Sequence, residues 1–543
     1  MTRDSSWKKS WNLLETLINI IAFTGIWVVP VIQVILPQIY AGFMDLHIYL
    51  ISFAAMGWIL INNVWSMVCE GKRLNEFAIG DGLIPDSSIS KEPLQKRSAM
   101  YPAVPTELLS VEPEGIILGK WKSKYVRIPL NKIFHYCILG GPGSGKTSTI
   151  LLDTLLANFA TKKGEFQTFA IDIKGELHQK STYQYTDNVM IVNPSDRSTC
   201  GWDPYFRLNK HSTGDLIIEA IEEIAQALII STNSNDSFFV ENARTMLVGL
   251  LIYFFNEGVS FIDSVNKILE SDASALIEEI IRDTIPSDPH YKYLAKYSGK
   301  KAESIEDIMT EMTTSLSIFS KSDIKFCMRD NYLKASPDSF KEGKSIFLAI
   351  PEHLLESYKP ILRLCTVQTL RELERRSENE QTPIIVLIDE FARLGRIEGI
   401  FGALATLRSK KVMIMLAFQS LGQCEMVYSK AETKVLVDNC RVKMICEASD
   451  PETGRMIADW SGKFREKKET QNSGKNRSRS YTYEDRPIVE PNDLITLTRD
   501  DEVIIIISGT GYLRIKKAFY FKDSVLKALA DKVREYNSQF GGT

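Results

Sequence analysis

The run Tyr136-Cys137-Ile138-Leu139-Gly140-Gly141-Pro142-Gly143-Ser144-Gly145-Lys146-Thr147, with the stretch Ser148 to Phe159 behind it, decides the fold. Four apolar residues read as a short buried strand, the next eight spell G-x-x-x-x-G-K-T, and the stretch that follows has the apolar spacing of a helix. Glycines are needed in such a loop because the backbone must turn tightly and aim successive N–H groups at phosphate oxygens, where a Cβ would intrude. Gly140, Gly141, Pro142, Gly143, Ser144, Gly145, Lys146, Thr147 and Ser148 are therefore the expected phosphate cradle. Lys146 would reach the β- and γ-phosphates, Thr147 would ligate Mg²⁺, and the helix N-terminus would add its dipole.

A cradle of this kind needs a strand that ends in an acid. Pro383 to Glu390 (PIIVLIDE) supplies one, with the unbroken apolar run of a strand covered on both faces. Asp389 is expected in the Mg²⁺ shell, and Glu390 is placed to polarise an attacking water. The other reading of the pair is a strand-end cap on the next helix. A third strand, Val412 to Phe418, ends in Gln419-Ser420. A neutral amide at that tip can bond the γ-phosphate or the water and report hydrolysis; Gln423 is a weaker candidate of the same type. The loop and the acid pair are expected on adjoining strands of one sheet, in an α/β fold.

Length and composition bound what can surround this site. At 543 residues the chain has room for two to four domains, and with 44% hydrophobic and 24% charged residues it excludes collagen-like and mainly disordered classes. Sixty-five Lys and Arg against 68 Asp and Glu exclude a small basic protein that coats nucleic acid, so any polyanion contact must be local. The eight cysteines are scattered without a C-x-x-C pair, which argues against zinc and for small buried thiols in a reducing cytoplasm.

Two apolar runs, Leu13 to Leu36 and Leu46 to Cys69, are each long enough to cross a bilayer, about 36 Å as a helix. Arg3, Lys8 and Lys9 precede the first, Lys72 and Arg73 follow the second, and the connector between them has no Lys or Arg, which places both ends on the cytoplasmic side. Farther on, between Trp202-Asp203-Pro204 and the strand Ser345 to Ile350, apolar residues recur at helical spacing over Asp215 to Ile230, Asp236 to Asn256, Phe261 to Leu269, Ala275 to Arg282 and Ile305 to Phe319. Gly462 to Ser480 carries seven cations against two acids and is rich in Ser, Asn and Gly, the composition of a mobile loop. It is either a solvated hairpin excursion or a DNA contact.

In combination these residues resemble the TraG/TraD-type family, the membrane-anchored coupling ATPases of type IV secretion and conjugation. The resemblance rests on Gly115 to Lys120 (GIILGK), the P-loop, Ile171 to Leu177 (IDIKGEL), Val192-Asn193-Pro194, Trp202-Asp203-Pro204, Leu387 to Gly395 (LIDEFARLG), Ala417 to Gln423 (AFQSLGQ), Asn439-Cys440, Arg486-Pro487 and Pro491 to Leu494. The loop departs from the family's usual Thr-Gly pair at Pro142-Gly143, which a position needing no N–H donor tolerates.

The resemblance implies a RecA-like P-loop NTPase domain with an inserted all-α domain and an N-terminal transmembrane hairpin. The expected bounds are 1–75 for the hairpin, 76–206 and 341–543 for the two parts of the nucleotide-binding domain, and 207–340 for the insertion. It implies ATP and Mg²⁺, a homo-hexamer on the inner face of the cell membrane, single-stranded DNA or a relaxase-DNA complex as cargo, and type IV secretion channel components as partners. It places Asp172, Lys174 and Glu176 near the nucleotide, and an arginine finger from a neighbouring subunit, for which Arg408 holds the expected place and Arg393 and Arg441 compete. Two other functions fit the same residues. One is a double-stranded DNA translocase of the chromosome-segregation type, against which stands the short tail after Gly509. The other is a nucleotide-gated receptor for secreted proteins.

Overall fold

The computed structural model describes residues 104–161, 164–184, 186–230, 237–471, 479–508 and 511–540. The hairpin expected at 13–36 and 46–69 lies outside them. Sixteen strands are described, in chain order β1 (Leu109–Ser110), β2 (Ile116–Trp121), β3 (Lys124–Ile128), β4 (Tyr136–Leu139), β5 (Gln167–Asp172), β6 (Val189–Val192), β7 (Gly201–Trp202), β8 (Lys334–Ala335), β9 (Ser345–Ala349), β10 (Ile384–Ile388), β11 (Val412–Phe418), β12 (Val442–Ile445), β13 (Lys463–Gln471), β14 (Arg479–Pro487), β15 (Glu502–Ile507) and β16 (Gly511–Lys516).

Twelve of them make one sheet in the order β1-β3-β2-β16-β15-β12-β4-β11-β10-β5-β9-β6. From β12 to β6 every pairing is parallel, and from β15 outward the strands alternate in direction. The parallel strands are apolar throughout because both faces are covered, and their pleat divides them between two cores. Ile384, Val386 and Ile388 face one layer with Cys137, Leu139, Ile414 and Leu416. Ile385 and Leu387 face the other with Tyr136, Ile138, Met413 and Met415.

One expectation about this sheet is corrected. The loop strand β4 and the acid strand β10 do not adjoin: β11 lies between them, paired in parallel with both. The gap follows from the chain's route. The helix Ile400–Thr406 returns the chain from the end of β10 to the start of β11, which fills the place beside β4 and brings the Gln419 tip between the acid pair and the glycine loop.

The helical region expected after Trp202 forms Gly214–Leu228, Ser237–Asn256, Phe261–Glu270, Ala273–Asp283 and Ala302–Leu316. Its apolar stripes, including Ile221, Ile224, Leu247, Leu251, Val265 and Met312, join the first core layer of the sheet without a break. Ser237–Asn256 includes a stretch long and apolar enough to cross a membrane, yet Val240, Ala243, Leu247, Leu250 and Leu251 are buried against the neighbouring helices. Trp202 anchors the departure point: its Nε1 donates to Gln368 Oε1 at 2.9 Å, and Gln368 Nε2 donates to Pro204 O at 2.7 Å.

The flanks of the basic stretch are strands, as a hairpin excursion requires. β13 and β14 pair in antiparallel register from Lys463↔Pro487 to Gln471↔Arg479, a two-stranded ribbon separate from the main sheet.

Candidate active site

The glycine loop leaves β4 at Gly140, whose N–H donates to Phe418 O at 3.1 Å. A Cβ on Gly140 would lie 2.3 Å from Ser144 Oγ and 3.0 Å from Cys446 Cβ, so any other residue there must push Ser144 and Cys446 aside. Gly145 has φ +96°, a left-handed conformation that L side chains rarely adopt. Behind it, Thr149 N–H and Oγ1 both donate to Gly145 O, at 2.9 and 2.7 Å, and the helical run Thr147 to Ala160 begins. Lys146 is buried, and its Nζ donates to the carbonyls of Gly140 and Gly141. Burial lowers the ammonium pKa against the pull of Asp389 and Glu390.

Asp389 and Glu390, at the end of β10, are 8% exposed each. Asp389 Oδ2 accepts from Thr147 Oγ1 at 3.2 Å, which joins the acid strand to the loop, while Oδ1 is buried with no partner. Burial pushes the Asp389 carboxyl up to about 6; Lys146 and Thr147 pull it down, while Glu390 and Asp172 add to the rise. Two hard oxygens, a hydroxyl and a carboxylate, form a donor set that suits Mg²⁺, and the unpartnered Oδ1 has capacity for it.

Glu390 itself sits in the left-handed region, φ 57° and ψ 47°, which an L residue enters at a cost of about 1–2 kcal/mol. Three groups surround its carboxylate. Arg393 Nη1 donates at 2.6 Å, Lys174 Nζ lies at 3.5 Å, and Gln419 Nε2 donates at 3.4 Å. Burial opposes ionisation here, but Arg393, Lys174 and Gln419 outweigh it and hold Glu390 below the usual carboxylate range. Gln423 Nε2 in turn donates to Gln419 Oε1 at 3.3 Å. The structure thus brings Lys146, Thr147, Asp389, Glu390 and Gln419 together.

Other expected residues are placed differently. Asp172 is committed to His178, accepting from its backbone N–H at 3.0 Å and bonding its Nδ1 at 2.8 Å, and Glu176 pairs with Lys180 on the surface. Of the three, Lys174 alone reaches the acid pair. Arg393 binds Glu390 and Glu352 of its own chain. Arg408 is exposed in the turn before β11, beside His135, at the end of the sheet opposite the glycine loop; Arg441, just before β12 with its guanidinium over Phe134, is at that same end.

Two supports of the loop escaped the sequence reading. Lys517 is buried, and its Nζ donates to Ser144 O at 2.7 Å and Cys446 O at 3.1 Å. Tyr520 N–H donates to Ser148 O at 3.2 Å. No local pattern marks either residue, since the bond from Lys517 to Ser144 closes 373 positions of sequence. A third support, Tyr428, stacks on Phe391 with ring centroids 5.3 Å apart and accepts Ile397 N–H at 2.9 Å, steadying the turn after the acid pair.

The doubly covered parallel sheet, with a glycine loop and an acid pair at the ends of its strands, defines the class: an α/β protein of P-loop type. Within that class the chain belongs to the family described as Type IV secretory system Conjugative DNA transfer, whose model matches residues 90–541. Among curated proteins it is 24% identical to Protein VirD4 of Agrobacterium fabrum over 422 residues, 73% of this chain and 60% of that protein. It is 27% identical to the conjugal transfer protein TraG of the same organism over 205 residues, 37% of this chain and 31% of that protein. The chain thus spans 49–60% of the length of the VirD4 relatives it matches. Among solved structures, the bacterial conjugative coupling protein TrwBdeltaN70 aligns with a TM-score of 0.58 at 16% identity, over 78% of this chain and 91% of that one. TrwB in complex with ADP and Mg²⁺ aligns with a TM-score of 0.57 at 16% identity, over 77% and 93%. At that identity the likeness is one of fold.

Proposed function

We propose that this chain is a coupling ATPase that drives DNA, as single-stranded DNA or a relaxase-DNA complex, toward a type IV secretion channel. The observation that carries the reading is the Glu390 carboxylate, held ionised by Arg393, Lys174 and Gln419 beside the Thr147–Asp389 hydrogen bond. An ionised carboxylate within the reach of a cradled triphosphate is what activation of water for attack at the γ-phosphate requires. The N–H groups of Gly141, Gly143 and Gly145 to Ser148 bind the phosphates, Lys146 moves from its carbonyl partners to the β- and γ-oxygens, and Gln419 passes the state of Glu390 to Gln423. Mg²⁺, held by Thr147 and Asp389, would neutralise phosphate charge. TrwB has been captured with ADP and Mg²⁺ and with a non-hydrolysable ATP analogue, which supports the same ligands here.

The wider reading follows the family. Residues 1–75 anchor the chain in the cell membrane as a helical hairpin, the parts 76–206 and 341–543 form one RecA-like motor, and the inserted helices of 207–340 meet cargo or partners. Six copies form the ring, with Arg408 of one reaching the nucleotide of the next. The β13–β14 ribbon, with its clustered Lys and Arg, binds DNA by releasing counterions.

The test is ATP turnover of the detergent-solubilised full chain with and without single-stranded DNA, beside Lys146→Ala and Glu390→Gln. Turnover stimulated by DNA is expected from the wild type. Glu390→Gln should retain ATP and lose about 10²- to 10⁴-fold in rate. Equal turnover by all three proteins would sink the reading.

A further inference from the structure

The sheet has a direction across the loop that says where a nucleoside must go. The acid pair lies to one side of β4, beyond β11, and on the other side lie β12, β15 and β16. A triphosphate with its γ-phosphate toward Glu390 therefore runs along the loop away from β10 and delivers its nucleoside to the β12–β16 side. The segment Lys517–Phe521 lies there, directly after β16.

This segment is fastened to the loop at three points. Lys517 Nζ bonds Ser144 O and Cys446 O, and Tyr520 N–H bonds Ser148 O. Between them the Phe519 ring lies against Gly145, 3.2 Å from where a Cβ would stand. Phe521 follows, 48% exposed, with its ring centroid 5.3 Å from that of Phe519 and 5.4 Å from that of Tyr520. Phe521 thus leaves about half of its ring surface open to water in a segment fastened to the phosphate loop, area on which a flat ligand can stack.

We propose that Phe521, buttressed by Phe519 and Tyr520, is the stacking face for the base of the bound nucleotide. The inference rests on the triphosphatase reading above and adds its base subsite. A phenyl face has no donor or acceptor with which to read a base edge. The site therefore takes adenine and guanine alike and favours both over the smaller pyrimidines, which offer less area to stack.

Calorimetric titration of the full chain with ATP, GTP, CTP and inorganic tripolyphosphate tests this. Phe521→Ala is expected to weaken ATP and GTP together by roughly ten- to a hundredfold, the range for removing one base stack. Tripolyphosphate should bind as before, Phe521→Trp should restore both purine nucleotides, and CTP should bind more weakly than either in the wild type. Unchanged ATP affinity in Phe521→Ala would overturn the proposal, and so would an equal loss for tripolyphosphate, which would mark Phe521 as a structural support of the loop. A wild type that binds neither ATP nor tripolyphosphate would overturn the triphosphatase reading and the base subsite together.

Discussion

At the scale of single residues, the loop's chemistry depends on atoms that are missing as much as on those present. Gly140 is hemmed in by Ser144 Oγ and Cys446 Cβ, so Gly140→Ala must shift Ser144, a residue of the same loop. The variant should keep the far-ultraviolet circular dichroism of the wild type and lose most of its ATP affinity in calorimetry. His135 shows the opposite economy, a titratable group kept neutral in the core. It is 3% exposed, its Nδ1 accepts Ile414 N–H at 3.0 Å, and burial with the charge of Arg408 pushes its pKa from 6.5 to about 4. Because the folded value is the lower one, the unfolded chain binds the extra proton first on acidification. The stabilisation from neutral His135 is complete above about pH 6.5 and is lost progressively toward pH 4. Denaturant midpoints across that window should fall less steeply for His135→Asn, which keeps an acceptor and cannot take the proton. Parallel slopes would show that His135 does not govern this range.

Among the elements, the sharpest dependence is that of the helix Leu355–Arg375 on the chain at Trp202. Gln368 uses both ends of its amide to hold Trp202 Nε1 and Pro204 O, all within the buried core. Gln368→Leu keeps the volume and leaves a buried donor and a buried acceptor unpaired, at about 1–3 kcal/mol each. Urea denaturation should show that loss, and an unchanged midpoint would mean that the two groups find other partners. The helices of this region were legible in the sequence because each buries one stripe: the spacing placed Ser237–Asn256 within one residue at its start, and Phe261–Glu270 within one at its end. The basic stretch was less legible. Its Ser, Asn and Gly content reads as a loop or a hairpin excursion, and the structure decides for paired strands: Lys463–Gln471 finds nine partners on Arg479–Pro487, and pairing overrides weak strand propensity.

For the molecule as a whole, two predictions test the contacts proposed beyond the chain. Arg408 is exposed at the end of the sheet away from its own glycine loop, so a finger role requires a second copy. Arg408→Ala should then bind ATP normally and lose about 10³- to 10⁵-fold in turnover. Normal turnover would remove it from the role. Replacing Lys463, Arg465, Lys467 and Lys468 of the ribbon by Gln should flatten the salt dependence of DNA binding, with the slope falling by about 0.7 for each single-strand phosphate that is no longer neutralised. An unaltered slope would refute the role of the ribbon in DNA binding. The sequence by itself determined the glycine loop, the strand ends bearing Asp389, Glu390 and Gln419, and the helical stripes, because each is written in neighbouring residues through periodicity and backbone sterics. Tertiary structure alone decided that β11 separates β4 from β10, that Arg393 and Lys174 close on Glu390, and that Lys517 reaches back 373 positions to hold Ser144. Those facts depend on which strands lie side by side once the helices have covered both faces, and that order is set by packing the whole sheet, of which no short window of sequence carries a record.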